Sequence, residues 1–309
     1  MRYVIRVLWI FALVLSLGVA PVRAETKITI GSAGTAGAAL FAAKHEGFFA
    51  KRGLDASIVM IRLNPDFPPA LIAGSIDIAL MTTPTFFQAI EGGIDLVVLA
   101  GGTVTTRAPA DQAVIAANGS GIKTAQDYIG RKIGVPGIGA GLHVLFRYWL
   151  DQNGIDPAKI EFAEISMPQM RDTLAAKRID AVVAVEPFVS QILGANVGYK
   201  ALSLSDELPV GKPMVMYTAT RSWSEHHAAD IKAFRDAIIE GGNFAKTEPD
   251  KTREDVNIYA KLPPQIMKTI EISEQVPDIG PDQLAWWSTV MKRQRMLTKD
   301  IDVTNLVMK

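Results

Sequence analysis

Two stretches of the chain repeat one pattern of apolar and polar positions. The first is LIAGSIDIALMTTP at residues 71–84, and the second is LAAKRIDAVVAVEP at residues 174–187. In each, the end of a helix is followed by a turn, a fully apolar strand and a polar edge that closes on proline. A strand that is apolar on both faces is typical of the buried parallel strands of α/β sheets. The repeat therefore predicts two similar α/β lobes and not a solenoid, whose repeats are much shorter.

Strand and helix patterns alternate around both copies of the repeat. The predicted strands cover residues 27–31, 56–62, 76–81, 96–99, 131–135, 161–165, 181–185 and 213–218. The predicted helices cover residues 36–52, 85–91, 143–153, 228–243, 254–261, 264–272 and 281–295, with two more that carry Leu71 and Leu174. This alternation predicts an α/β fold whose sheets are mostly parallel, with right-handed crossovers.

The two copies differ at the turn that closes the helix. Gly74 stands there in the first copy, and glycine adopts a left-handed backbone without steric cost. Lys177 stands there in the second copy, where its Cβ opposes that conformation. We therefore expect no left-handed turn at Lys177.

Residues 1–24 have the pattern of an export signal. Arg2 and Arg6 precede an apolar run at residues 7–20, and Val22 and Ala24 occupy the positions that a signal protease reads. The apolar run is shorter than the roughly 20 residues that a membrane-spanning helix needs. We expect cleavage after Ala24 and a periplasmic location, with an uncleaved anchor as the alternative.

The composition limits the possible partners and chemistry. The 309 residues are 49% hydrophobic and 21% charged, which suits two domains with buried cores. Basic and acidic residues both number 32, so charge gives no reason to expect nucleic acid or an anionic membrane as a partner. The chain contains no cysteine, which excludes disulfides, thiolate metal sites, a cysteine nucleophile and lipid attachment to an N-terminal cysteine.

The candidate site lies where the predicted strands end, because open α/β sheets bind ligands beyond the carboxyl ends of their strands. Two of these ends are glycine-rich and lead into helices, whose N-terminal N–H groups accept oxyanions. The alternative is that they are only tight turns. The candidate ligand-binding residues are Thr35, Gly37, Phe67, Thr82, Thr83, Ile138, Gly139, Gly141, His143 and Glu186.

Two of these candidates carry alternatives. Glu186 either binds a ligand amine or another polar edge, or makes a hydrogen bond across the hinge or an ion pair with a lobe residue. His143 is the one histidine near the expected cleft, and a lone histidine is commonly structural.

The sequence lacks the signatures of catalytic and cofactor sites. GIGAG at residues 137–141 lacks the third glycine of a dinucleotide fingerprint, since residue 142 is leucine. There is no phosphate-binding loop and no G-x-S-x-G motif. His226 and His227 are adjacent, so on a helix they point apart and chelate a metal poorly. We expect no enzyme activity, no cofactor and no metal site.

Five motifs occur in one order: GFFAKRGL at 47–54, ALIAGSID at 70–77, GRKIGVPG at 130–137, DAVVAVEP at 180–187 and DVTNLV at 302–307. Together they resemble the periplasmic substrate-binding proteins of ABC importers for nitrate, sulfonates, taurine and pyrimidine precursors, a family that includes thiamine-pyrimidine-synthase-like proteins. The resemblance implies a type II periplasmic-binding-protein fold, with the ligand in a cleft between two hinged lobes. It places lobe I at residues 25–112 and 206–309 and lobe II at residues 113–205, with crossings near 113–117 and 204–214.

The resemblance also implies a function, namely capture of a small organic anion by hinge closure and its delivery to permease and ATPase subunits on separate chains. The protein is then expected to be a monomer. Two alternatives stay open. One is a protein that binds or makes a thiamine pyrimidine precursor, although the cysteine-rich motif of that enzyme branch is absent. The other is a periplasmic ligand sensor. The sequence leaves the ligand open among sulfonates, carboxylates and aminopyrimidines, and contact with Arg107 would favour the first two.

Overall fold

A computed structural model describes residues 25–33, 36–107, 112–268 and 270–308. These residues form two five-stranded sheets flanked by helices. The strands are β1 (Thr26–Ser32), β2 (Leu54–Met60), β3 (Ile78–Thr82), β4 (Leu96–Gly101), β5 (Gln112–Ala117), β6 (Lys132–Val135), β7 (Glu161–Glu164), β8 (Ala181–Val185), β9 (Gly198–Ser203) and β10 (Val215–Thr220). The helices are α1 (Ala38–His45), α2 (Phe67–Ile72), α3 (Thr83–Glu91), α4 (Gly141–Gln152), α5 (Met167–Ala175), α6 (Phe188–Gly194), α7 (Leu204–Glu207), α8 (Arg221–His226), α9 (Ala228–Thr247), α10 (Pro249–Ala260), α11 (Pro264–Met267) and α12 (Pro281–Arg293).

The two sheets have the same topology. The strand order is β2-β1-β3-β10-β4 in the first sheet and β7-β6-β8-β5-β9 in the second. We call the first sheet with its helices lobe I and the second lobe II. The repeated sequence pattern forms the central strands β3 and β8, whose residues are almost all buried. The prediction of two similar α/β lobes is confirmed.

Both sheets are mixed but mostly parallel in strand direction, as the sequence predicted, because one strand in each runs against the other four. Strands β1, β2 and β3 pair in parallel, as do β6, β7 and β8. Strand β5 runs antiparallel to β8 and β9, and β10 runs antiparallel to β3 and β4. Each of these two is the first strand formed after the chain passes into the other sheet. Such a strand belongs to no local strand–helix–strand unit, so the handedness rule for crossovers does not fix its direction.

The expectation for Lys177 is wrong. Lys177 has a left-handed backbone with φ of 54°, close to the 65° of Gly74. The hydrogen bonds of the two turns are also equivalent: Gly74 N donates to Leu71 O, and Lys177 N donates to Leu174 O. The turn before the central strand therefore has the same backbone geometry in both copies. For a residue with a Cβ, such as Lys177, this left-handed geometry costs about 1–2 kcal/mol.

A hydrophobic core runs from one lobe into the other along α3, α4 and α12. It contains Phe86 and Phe87 of lobe I, Phe146 of lobe II and the fully buried Trp287 of α12. Helix α12 contacts both α3 and α4, so the C-terminal part of the chain joins the lobes on this side. Among the described residues, no helix combines the length and apolar character needed to cross a membrane.

Candidate functional site

A cavity of about 480 Å³ lies between the two sheets. In each lobe it is lined at the carboxyl ends of the parallel strands: Met60 ends β2, Thr82 ends β3, Pro136 follows β6 and Glu186 follows β8. This is the position that the fold class predicts for a ligand. Much of the wall is apolar and adaptable, since three methionines and a phenylalanine line it, namely Met60, Met167, Met214 and Phe188.

Charged side chains also line this cavity. Arg62 of lobe I and Lys261, which follows α10, bring positive charge, as does Arg171 of lobe II, whose Nε also donates to Oδ1 of Asp172 at 2.8 Å; Glu186 brings one negative charge. The described lining is therefore net cationic, which favours an anionic ligand.

Thr82 and Gly141 connect the lobes across the cavity. The backbone N–H of Gly141, at the start of α4, donates to Oγ1 of Thr82 at 3.2 Å. The same hydroxyl lies 2.9 Å from Oγ1 of Thr85, and the N–H of Thr82 donates to Oδ1 of Asn64 at 3.1 Å. The end of β3 and the start of α4 thus form one network that belongs to both lobes.

Thr83 has a different environment from its neighbour. Its side chain is fully buried, and its hydroxyl donates to the carbonyl oxygen of Pro213 at 2.5 Å. Pro213 lies just before β10, in the chain segment that returns from lobe II. Thr83 therefore fastens that segment to the start of α3 and is not among the residues that line the cavity.

The glycine-rich turn of residues 137–141 is organised by His143. Gly139 has a left-handed backbone, with φ of 83°, and its N–H donates to Nδ1 of His143 at 2.8 Å. His143 is only 2% exposed, and its ring meets that of Phe162 edge-on. Burial lowers the pKa of His143 to about 3, with a smaller contribution from the nearby Arg147 cation. The imidazole is therefore neutral at physiological pH.

Glu186 lies in the cavity wall and is held by the first turn of α6. Its carboxylate accepts hydrogen bonds from the N–H of Ser190 at 3.2 Å and from the Ser190 hydroxyl at 2.8 Å. These contacts orient the carboxylate at the end of β8.

The ten candidate residues are therefore distributed over different environments. Thr82, Gly141 and Glu186 line the cavity. Thr83, Gly139 and His143 support elements beside it, Ile138 is 48% exposed, Gly37 is buried ahead of α1, and Phe67 is fully buried in the core. Thr35 lies outside the described residues, and Arg107 is exposed and does not line the cavity.

Several lining residues were not candidates from the sequence. Arg171 lies within α5 and Tyr259 near the end of α10, where local patterns show only helical residues. Gln112 begins β5 and is 4% exposed, with its Oε1 lacking a hydrogen-bond partner within the described part of the chain. Arg62 is the one that the sequence could have indicated, because it is the last residue of the predicted strand 56–62 and lies just beyond the observed end of β2 at Met60.

The model of the NMT1-like family matches residues 23–260 of the chain. The nitrate/nitrite binding protein NrtA of Nostoc sp. (strain PCC 7120) is 25% identical over 250 residues, which are 75% of this chain and 57% of the relative. The chain thus spans little more than half the length of that curated relative.

Solved structures with the same fold include two binding proteins. The alkanesulfonate-binding protein SsuA from Xanthomonas axonopodis pv. citri, bound to MOPS, has a TM-score of 0.78 at 18% identity and covers 92% of this chain and 98% of its own. The periplasmic nitrate-binding protein NrtA from Synechocystis PCC 6803 has a TM-score of 0.77 at 19% identity, with coverages of 90% and 84%. These likenesses show the two-lobed fold of periplasmic binding proteins.

Proposed function

As the chain belongs to the NMT1-like family, we propose that it is the solute-binding component of an ABC import system. It captures a small organic anion between its lobes by hinge closure and delivers it to a membrane permease. The observation that carries this proposal is the cavity between the lobes, which both lobes line with the ends of their parallel strands. Relatives named for nitrate and alkanesulfonate binding support the same role.

The dimensions and lining of the cavity favour an organic ligand over a small inorganic anion. Its volume of about 480 Å³ lies within the usual range of roughly 300–1,000 Å³ for small-molecule sites. Arg62 and Arg171 favour a sulfonate or carboxylate group, because a guanidinium donates to two oxygens at once. The methionines and Phe188 favour an apolar or aromatic body.

The proposal extends to location and partners. Residues 1–24 are an export signal cut after Ala24, and the mature protein is periplasmic. It is a monomer of two lobes, formed by residues 25–112 with 206–309 and by residues 113–205. The permease and ATPase are separate chains, and the protein itself performs no catalysis. A solved structure named as periplasmic supports the location, and one named as the ligand-binding component of an ABC-type import system supports the separate transport subunits.

Thermal unfolding of residues 25–309 tests the proposal. The protein is unfolded and refolded to remove any co-purified ligand, then measured with nitrate, alkanesulfonates, benzenesulfonate, benzoates and aminopyrimidines. A ligand at a thousandfold over its Kd stabilises by about 4 kcal/mol, which raises Tm by on the order of ten degrees for a chain of this size. We expect such a shift with organic sulfonates or carboxylates.

Substitution of the cationic lining provides the control. Arg171→Met removes a cation from the cavity wall, whereas Arg178→Met removes one from an exposed position after α5. Only the first is expected to reduce the shift. Refolded protein that binds no compound of the panel would contradict the proposed function.

A further inference from the structure

The side chain of His143 lies beside the cavity but outside its lining, which distinguishes it from a ligand contact. We propose that His143 is a positioning residue, which holds the turn of residues 137–141 in the one shape that fits lobe I when the lobes close. This inference rests on the proposed function, because the shape of the turn matters for binding only if the lobes close on a ligand.

The hydrogen bond to Gly139 determines the state of the imidazole. A backbone N–H can only donate, so Nδ1 of His143 must be the unprotonated acceptor at 2.8 Å. In the neutral ring the proton then resides on Nε2. Nε2 is buried and has no hydrogen-bond partner among the described residues. The protein thus tolerates an unsatisfied donor in order to keep the acceptor next to Gly139, which points to the Gly139 contact as the function of the ring.

The turn that His143 holds is the part of lobe II that fits closely against lobe I at the cavity. A Cβ placed on Gly139 would come within 2.5 Å of Nε2 of Gln88, and one placed on Gly137 within 3.2 Å of Cδ of Pro65. Gly141 donates its N–H to Thr82. Gln88, Pro65 and Thr82 all belong to lobe I. A small rotation of the turn would therefore break the fit at several contacts.

The geometry distinguishes two conservative substitutions. Asparagine places its Oδ1 close to the position of Nδ1, so it can still accept from Gly139. Glutamine places its oxygen near Nε2 and leaves the Gly139 N–H without an acceptor. His143→Asn is therefore expected to keep the turn, and His143→Gln and His143→Ala are expected to lose it.

The first test needs no ligand. Spectra of protein labelled with ¹⁵N-histidine are expected to show His143 as the neutral Nε2–H form, without titration between about pH 5 and 8. The charged group that acts on the ring is Arg147, one turn further along α4, and it also disfavours protonation. Amide hydrogen exchange of Gly139 and Gly141 is expected to stay slow in His143→Asn and to accelerate in His143→Gln. A protonated Nδ1, or equal exchange in the Asn and Gln variants, would overturn the inference.

The second test measures binding of benzenesulfonate by calorimetry. His143→Gln is expected to weaken binding about tenfold, the effect of one hydrogen bond, and His143→Asn by much less. His226→Asn, at an exposed histidine of α8, is the matched control and is expected to bind as the unchanged protein does. Equal affinities of the Asn and Gln variants would overturn the inference and leave the proposed function intact. Absence of binding in the unchanged protein would instead contradict the proposed ligand class, while the exchange result would still decide the role of His143 in the turn.

Discussion

Asp255, on α10, is a buried carboxylate at the contact with α1. It is 6% exposed, and its Oδ2 has no hydrogen-bond partner within the described residues. Burial, followed by the neighbouring Glu46 carboxylate, raises its pKa to about 6, and Lys251 opposes this change. A carboxyl group whose pKa is higher in the folded than in the unfolded chain takes up protons on folding. Its contribution to stability therefore falls as pH rises through that range.

Asp255→Asn removes the charge that this burial disfavours. We expect the variant to be more stable than the unchanged protein by about 1 kcal/mol near pH 8 and to lose this advantage near pH 4.5, where Asp255 is already protonated. Urea unfolding at the two pH values measures the difference. Asp278→Asn, at an exposed position, is the control and should show no such pattern. An advantage that is larger at the lower pH would refute the assignment.

At this scale the sequence identified site residues only where a strand pattern ends. Thr82, Gly141 and Glu186 were candidates because each lies at or just beyond the end of a recognisable strand, and all three line the cavity. Tyr259 also lines the cavity. Its position depends on the packing of α10 on α1, where the Tyr259 ring stacks on that of Phe41 with 4.5 Å between the ring centroids. Helical periodicity carries no information about such a distant contact.

Among the elements, the sequence could not predict which strand of each sheet runs antiparallel to its neighbours. An apolar strand pattern is the same in a parallel and in an antiparallel strand, so the antiparallel orientation of β10 could not be predicted. Strand β5 was not predicted, because residues 113–117 were expected only as a crossing between the lobes, and strand β9 was not predicted either. Strand β9 lies at the edge of its sheet and is only partly buried, so its residues lack the continuous apolar run of β8. The edge strands β2, β4 and β7 were predicted, so the edge position of β9 alone does not remove the strand pattern.

The C-terminal segment after α12 covers the edge of the first sheet at β4. The N–H of Val98 donates to Leu306 O at 2.7 Å, and Met308 N donates back to Val98 O at 3.0 Å. Leu306 is buried, and Arg235 of α9 donates to Met308 O at 2.7 Å. The segment therefore satisfies backbone groups of an edge strand that would otherwise be open to pairing with another chain.

Removal of residues 303–309 is expected to lower the stability of the protein and to promote its association. Loss of the buried Leu306 side chain alone should cost about 2 kcal/mol. Thermal unfolding and size-exclusion chromatography measure the two effects. Thr304→Ala, at an exposed position of the same segment, is the control and should change little. A truncated protein that keeps its Tm and elutes as the intact one does would show that the segment contributes nothing to the sheet edge.

For the whole molecule, the contacts between the lobes are of two kinds. On one side, α12 is fixed to α4: Gln294 donates its side-chain N–H to Val144 O at 3.0 Å, and Arg293 pairs with Asp151 at 2.8 Å. Around the cavity, the glycine turn of residues 137–141 meets lobe I through backbone atoms and short side chains. Closure of the lobes brings this second kind of contact together, and a Cβ added to the turn would meet lobe I at the flexible amide of Gln88 or at Cδ of Pro65.

The variant Gly139→Ala tests the fit between the lobes independently of the stability of the protein. The substitution strains a left-handed backbone and directs a Cβ at Gln88, whereas Gly154→Ala imposes similar strain with nothing within 4 Å of the new carbon. Both variants should lose about 1–2 kcal/mol of stability, but only Gly139→Ala should also bind benzenesulfonate more weakly. Adding Gln88→Ala removes the obstructing side chain, so it should restore affinity without restoring stability. Urea unfolding and calorimetry measure the two quantities independently. Equal affinities of the two glycine variants would show that the turn does not take part in closure, since the remaining difference between them is the contact with lobe I.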